Sequence, residues 1–153
     1  LHSGYKIIGT YINSTMALHE AINKGADEAL LLDKNGFISE GSGENIFIVK
    51  DGVISTPKTE HCLNGITRQS VIKIAKDFGY TIDEKNLTYE DLLDSDEAFF
   101  SGTAVEITPI SKIDETIIGS GSCGDITEKL QSTYSDIVYG RNELYKDWLT
   151  LAS

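Results

Sequence analysis

Basic residues are scarce in this chain: 13 Lys and Arg stand against 24 Asp and Glu, for a formal net charge of -11 over 153 residues. Nucleic acid backbones and anionic lipid are held by clustered Lys and Arg, so neither partner is expected. If phosphate is bound, backbone N–H groups and hydroxyls must hold it in place of a basic field. Cysteine is scarce too. Cys62 and Cys123 lie far apart and form no CxxC pair, so no disulfide framework or zinc site is signalled, and reduced cytosolic thiols are expected. No apolar run approaches the length of a membrane span, and the first residues form neither a charged n-region nor an apolar h-region; a cytoplasmic protein that makes no membrane contact is the expectation. The two sequons, at Asn13 and Asn86, have no secretory signal to give them meaning. There is also no initiator Met, and "LHSGYK" opens without cap or turn chemistry, so a piece of a longer chain is expected.

What is present suits one domain: 153 residues, 40% of them apolar, can bury a real core. Ile12, Met16, Ala17 and Ile22, with Gly25 beyond, predict an amphipathic helix ended by glycine. Asn35-Gly36 and Asp51-Gly52 between β-rich runs predict an antiparallel meander over 28–55. The spacing of Ile66, Val71, Ile72, Ile74, Ala75 and Phe78 predicts a second helix starting near Ile66. "YTIDEKNL" reads as a short strand, and Thr88 with Asp91 as a capping box. "EAFFSGTAVEITPI" reads as a strand broken by Gly102 and resumed to Pro109, and "SKIDETIIG" as a further hairpin element. Asp125 is positioned to cap a last long helix to Gly140, with a short helical tail around Trp148. Hairpins with interspersed helices predict an α+β domain, with no repeat or low-complexity linker.

Four places could carry chemistry. Lys6 stands among apolar residues; a partly dehydrated amine has a lowered pKa and suits Schiff-base chemistry, although on the residues alone a snorkelling strand-end lysine is the simpler reading. Glu40 and Glu44 flank the small-residue turn of "ISEGSGEN", either facing a planar ligand or bordering a solvated loop. In "LNGITR" the helix start at Ile66 and Thr67 offers free N–H groups and a hydroxyl to an anion, or is a plain helix start capped by Asn64. In "SGTAVE", Gly102 allows close backbone approach while Thr103 and Ala104 offer a hydroxyl and N–H groups; the alternative is a β-bulge without a ligand. Glu60-His61-Cys62 reads as a loop before the helix, and Arg68 as a structural ion-pair partner.

Together, "KIIGTYINS", "EALLLDKNGFISEGSGENIFIVKDGVISTP", "LNGITR", "DEAFFSGTAVEITPI" and "GSGSCGDITEKLQSTYSDIVYG" resemble the C-terminal large domain of the class IV, fold-type IV pyridoxal-phosphate aminotransferases, branched-chain type, in order along nearly the whole chain. The resemblance implies a D-amino acid aminotransferase-like α+β fold over 1–153, with the N-terminal small domain absent from this chain. It implies pyridoxal 5'-phosphate as cofactor and no metal. Lys6 would be the catalytic residue and Schiff-base anchor. Tyr11 would bond the cofactor's phenolic oxygen and Glu40 its ring nitrogen. Ile66, Thr67 and Thr103 would hold the phosphate, and Thr103 and Ala104 the substrate carboxylate. The implied reaction is transamination of leucine, isoleucine or valine with 2-oxoglutarate, in branched-chain amino acid biosynthesis, by a homo-oligomer when full length. A D-amino acid aminotransferase, an aminodeoxychorismate lyase and a non-catalytic domain are the competing readings, and the 119–140 tail favours the branched-chain type.

Overall fold

The computed structural model describes residues 11–150. Helix α1 (Tyr11–Asn23) leads into the strand pair β1 (Leu30–Leu32) and β2 (Ile38–Gly41). Then come β3 (Asn45–Lys50), β4 (Val53–Pro57), α2 (Ile66–Asp77), β5 (Thr81–Lys85), α3 (Tyr89–Leu93), β6 (Glu97–Gly102) and β7 (Glu106–Pro109). The small hairpin β8 (Lys112–Ile113) and β9 (Thr116–Ile117), α4 (Asp125–Val138) and a 3-10 helix (Glu143–Trp148) complete the order. The main sheet runs β5-β4-β3-β6-β7, with β5 parallel to β4 across α2 and every other pair antiparallel.

Strand β3 shows why the sheet has two covered faces. Its alternate residues Phe47 and Val49 pack with Val71 and Ile74 of α2 and Leu130 and Ile137 of α4, and the Phe47 and Phe99 rings stack at 5.0 Å. Ile46 and Ile48 point the other way, into a second cluster with Ile38, Leu87, Leu92 and Phe100. A strand buried on both sides reads as an unbroken apolar run, which "NIFIVK" is.

The predicted helices form where the periodicity places them, and α1, α2 and α4 each end on a left-handed glycine, Gly25, Gly79 and Gly140. The Thr88–Asp91 capping box is present. Three expectations need correction. The meander is divided: β1 and β2 form their own two-stranded sheet, and a turn closed by Gly41 N–H to Glu44 O (2.7 Å) passes the chain to β3 in the main sheet. The run through Gly102 is a hairpin, since β6 and β7 are antiparallel with Gly102 opposite Glu106, which takes φ 50°.

Asp125 does not cap α4. The cap position is Gly124, and the helix start is held from outside by Glu97 of β6, which accepts from Ile126 N–H (3.1 Å), Thr127 N–H (2.7 Å) and the Thr127 hydroxyl (2.6 Å). A Cβ on Gly124 would fall 2.1 Å from Glu97 Cδ, so the residue there must be glycine for the carboxylate to reach. Glu97→Ala leaves these donors and the buried Thr127 hydroxyl unpaired, with an expected loss of about 2 kcal/mol; denaturant unfolding measures it, and Glu97→Gln should lose less.

Candidate functional site

Lys6 lies outside the described residues. Tyr11, the first described residue, opens α1 and is half-buried. The other expected site residues come from three separate elements that meet at one end of the main sheet.

Glu40 sits on β2, half-buried, and its Oε2 accepts from Leu63 N–H at 2.9 Å. Burial pushes its carboxyl above the ordinary value, the Leu63 N–H working against this. No cation is recorded beside it among the described residues. Glu44 does something different. Its Oε2 accepts from Gly43 N–H at 3.0 Å and closes the turn between the two sheets.

Leu63 brings in the rest. Its carbonyl accepts from Asn45 Nδ2 at 2.7 Å, and the Asn45 Oδ1 lies so near Gly65 that a Cβ there would stand 2.4 Å away. Gly65 is the cap residue of α2, and no side chain caps the helix; Asn64 instead accepts from Arg68 Nη1 at 3.4 Å. The first intrahelical bond is Gln69 N–H to Gly65 O (3.0 Å), so the N–H groups of Ile66, Thr67 and Arg68 precede the ladder at the positive end of the helix dipole. Asn64 is therefore not the cap. Ile66 is exposed, and Thr67 is buried with its hydroxyl 3.4 Å from that of Tyr134 on α4.

On the other flank Asn45 pairs across the strands with Ser101, whose hydroxyl is buried and has no hydrogen-bond partner among the described residues. Thr103 and Ala104 follow on the exposed tip of the β6–β7 hairpin. Glu40, the α2 start and Thr103 are thus linked through Leu63, Asn45, Gly65 and Ser101. Asn45 is the joint that sequence reasoning missed; its signal is a polar residue at the head of an otherwise apolar central strand.

Arg68 does not face this end. It is buried, with Nη2 donating to Pro57 O (2.9 Å) and Glu84 Oε2 (2.6 Å), the structural role expected of it. Cys62 is also buried, which drives its thiol up to about 11, so it is a poor nucleophile. No helix among the described residues is long and apolar enough to cross a membrane.

The geometry defines an α+β domain with features that suit a ligand gathered at one end of its main sheet. A half-buried carboxylate with no cation beside it among the described residues suits a ring N–H, and an uncapped helix start with a buried hydroxyl nearby, unpartnered among the described residues, suits an anion.

Comparison with known proteins gives the class a family. The model of the amino-transferase class IV family matches residues 1–113. The branched-chain-amino-acid aminotransferase of Pseudomonas aeruginosa is 53% identical over 94% of this chain and 47% of its own length, and the probable one of Aquifex aeolicus is 45% identical over 97% and 48%. Among solved structures, the branched-chain amino acid aminotransferase from Thermobaculum terrenum in its PLP form superposes with a TM-score of 0.94 at 39% identity, over 98% of this chain and 50% of that one. The chain belongs to the class IV aminotransferase family, and its α+β fold is that of these enzymes. It spans about half the length of the relatives it matches.

Proposed function

We propose that residues 1–153 form the C-terminal large domain of a branched-chain amino acid aminotransferase and bind pyridoxal 5'-phosphate. Together with the remainder of the polypeptide, and as a homo-oligomer, they would move the amino group of leucine, isoleucine or valine to 2-oxoglutarate. The observation that carries this reading is Glu40: a half-buried carboxylate, raised by its burial and bonded by the Leu63 N–H, in a chain of this family.

When bound, pyridoxal phosphate supplies the electron sink that lets an amino acid lose its Cα proton. The chain's own residues do the rest. Glu40 holds a proton on the ring nitrogen through a charge-assisted hydrogen bond, which maintains the ring's electron demand. The Ile66 and Thr67 N–H groups and the Thr67 and Thr103 hydroxyls hold the phosphate, so an acidic protein can bind an anion with no basic field. Tyr11 donates to the phenolic oxygen. Lys6 would hold the cofactor, and its amine would be the base that takes the Cα proton. Backbone groups of Thr103 and Ala104, on the open hairpin tip, orient the substrate carboxylate.

Addition of pyridoxal phosphate to the purified chain should produce the absorption band of lysine-bound cofactor, and Lys6→Ala should abolish it. Identical spectra for both proteins would remove Lys6 from the mechanism. Leucine, isoleucine, valine and D-alanine offered to the full-length protein then separate the transaminase readings; a preference for D-alanine would overturn the branched-chain assignment.

A further inference from the structure

The loop between β4 and α2 carries Leu63, whose N–H donates to Glu40; Cys62 anchors it in the core, and the residues on either side of Cys62 are polar or only partly buried. A further hold on it comes from the β1–β2 hairpin. Asp33 begins the turn there: its Oδ1 accepts from Asn35 N–H (2.8 Å) and Phe37 N–H (3.0 Å), and its backbone N–H donates to Phe37 O (2.7 Å). The other oxygen, Oδ2, is sealed from solvent, and His61 Nδ1 stands 3.0 Å from it. The His61 carbonyl accepts from the Ser39 hydroxyl, one residue before Glu40.

A buried carboxylate oxygen left without a donor is costly, and a proton on Nδ1 of the adjacent His61 ring would supply one. The imidazole then joins a rigid turn to the loop two residues before Leu63. We propose that Asp33 and His61 form a positioning pair that holds Leu63 N–H on Glu40 and so sets the direction of the carboxylate; its bearing on the cofactor ring rests on the function proposed above. The carbonyl of the same Leu63 is held by Asn45, beside Gly65 at the α2 start. One side-chain pair therefore steadies both the Glu40 carboxylate and the entry to the helix.

The pair can be tested in the full chain without cofactor. In His61→Ala the Leu63 amide should exchange with solvent about tenfold faster, the size expected for losing one hydrogen bond to a charged group, while the Val71 and Ala75 amides in α2 keep their rates. The Glu40 carboxyl, followed by carbon NMR, should titrate at higher pH once the Leu63 N–H is less firmly held. His61→Asn places an amide N–H near the position of Nδ1 and should restore both readouts. Unchanged Leu63 exchange and Glu40 titration in His61→Ala would overturn the proposal, as would no rescue by His61→Asn. Should His61→Ala not fold, the nitrogen shifts of the wild-type ring decide: a proton on Nδ1 supports the pair, and a bare Nδ1 sinks it. None of these readouts needs pyridoxal phosphate, so their failure leaves the Lys6 experiment standing, and failure of wild type to bind the cofactor leaves the pair standing.

Discussion

Glu40→Gln is expected to leave the fold intact and slow amino-group transfer by the full-length protein about 100- to 1000-fold. Glutamine keeps the volume and an oxygen for the Leu63 N–H, so the loop before α2 stays in place. It cannot hold a proton on a ring nitrogen, because a neutral amide gains nothing from the positive charge. The pH dependence gives a second readout. Burial raises the Glu40 carboxyl, so the folded chain keeps this proton to higher pH than the unfolded chain. In the absence of cofactor the group therefore costs stability as pH rises from the unfolded pKa through the folded one. A ring N–H beside Glu40 lowers the carboxyl again and removes that cost. Stabilisation by pyridoxal phosphate should thus grow with pH across the carboxylate range in wild type and lack this component in Glu40→Gln, as thermal unfolding with and without cofactor would show. Equal activity in the two proteins would detach Glu40 from the ring nitrogen.

Arg68→Ala should cost about 3 kcal/mol of stability, the low end for breaking a buried ion pair. The guanidinium ties the end of β4 through Pro57 O to β5 through Glu84, from a fully buried place on α2. Truncation leaves the Pro57 carbonyl unpaired and a cavity where the side chain lay. Glu84 is 43% exposed, so its abandoned charge rehydrates and the cost stays below that of an enclosed pair. Arg68→Met, which refills the space, should recover part of the loss. Denaturant midpoints for the three proteins measure the series; a loss within about 0.5 kcal/mol for Arg68→Ala, the scale of an ordinary surface change, would mean the ion pair is not a structural tie.

Local signals carried most of the fold into the sequence. Turn glycines, a capping box and helical periodicity act over a few residues, and they are legible because their physics is short-ranged. Glu97 was not legible as the anchor of α4, because its partners Ile126 and Thr127 lie far along the chain and only the sheet brings them together. The split between β2 and β3 was hidden for a similar reason: strand alternation does not say which sheet a strand joins. For the candidate site, Glu40, Thr67 and Thr103 could be named from family resemblance, whereas Asn45, Ser101 and the Asp33–His61 pair could not. A polar residue at a strand head and an ordinary turn aspartate show their purpose only once distant elements meet around them.

The parallel pairing of β5 with β4 bears on the order in which the molecule comes together. The hairpins β3–β4 and β6–β7 close through short turns, but β5 can register on β4 only after the chain has passed through the whole of α2. Contacts of long sequence separation require loop closure before they return any free energy, so this crossover lags the hairpins, and the pairing of Asn45 with Ser101 between β3 and β6 closes a longer stretch of chain still. The segment from Lys58 to Gly65, which bears Leu63 and the α2 start, lies inside that crossover. The α2 start and Leu63 therefore depend on long-range closures, whereas the hairpins on either side of them form from local contacts.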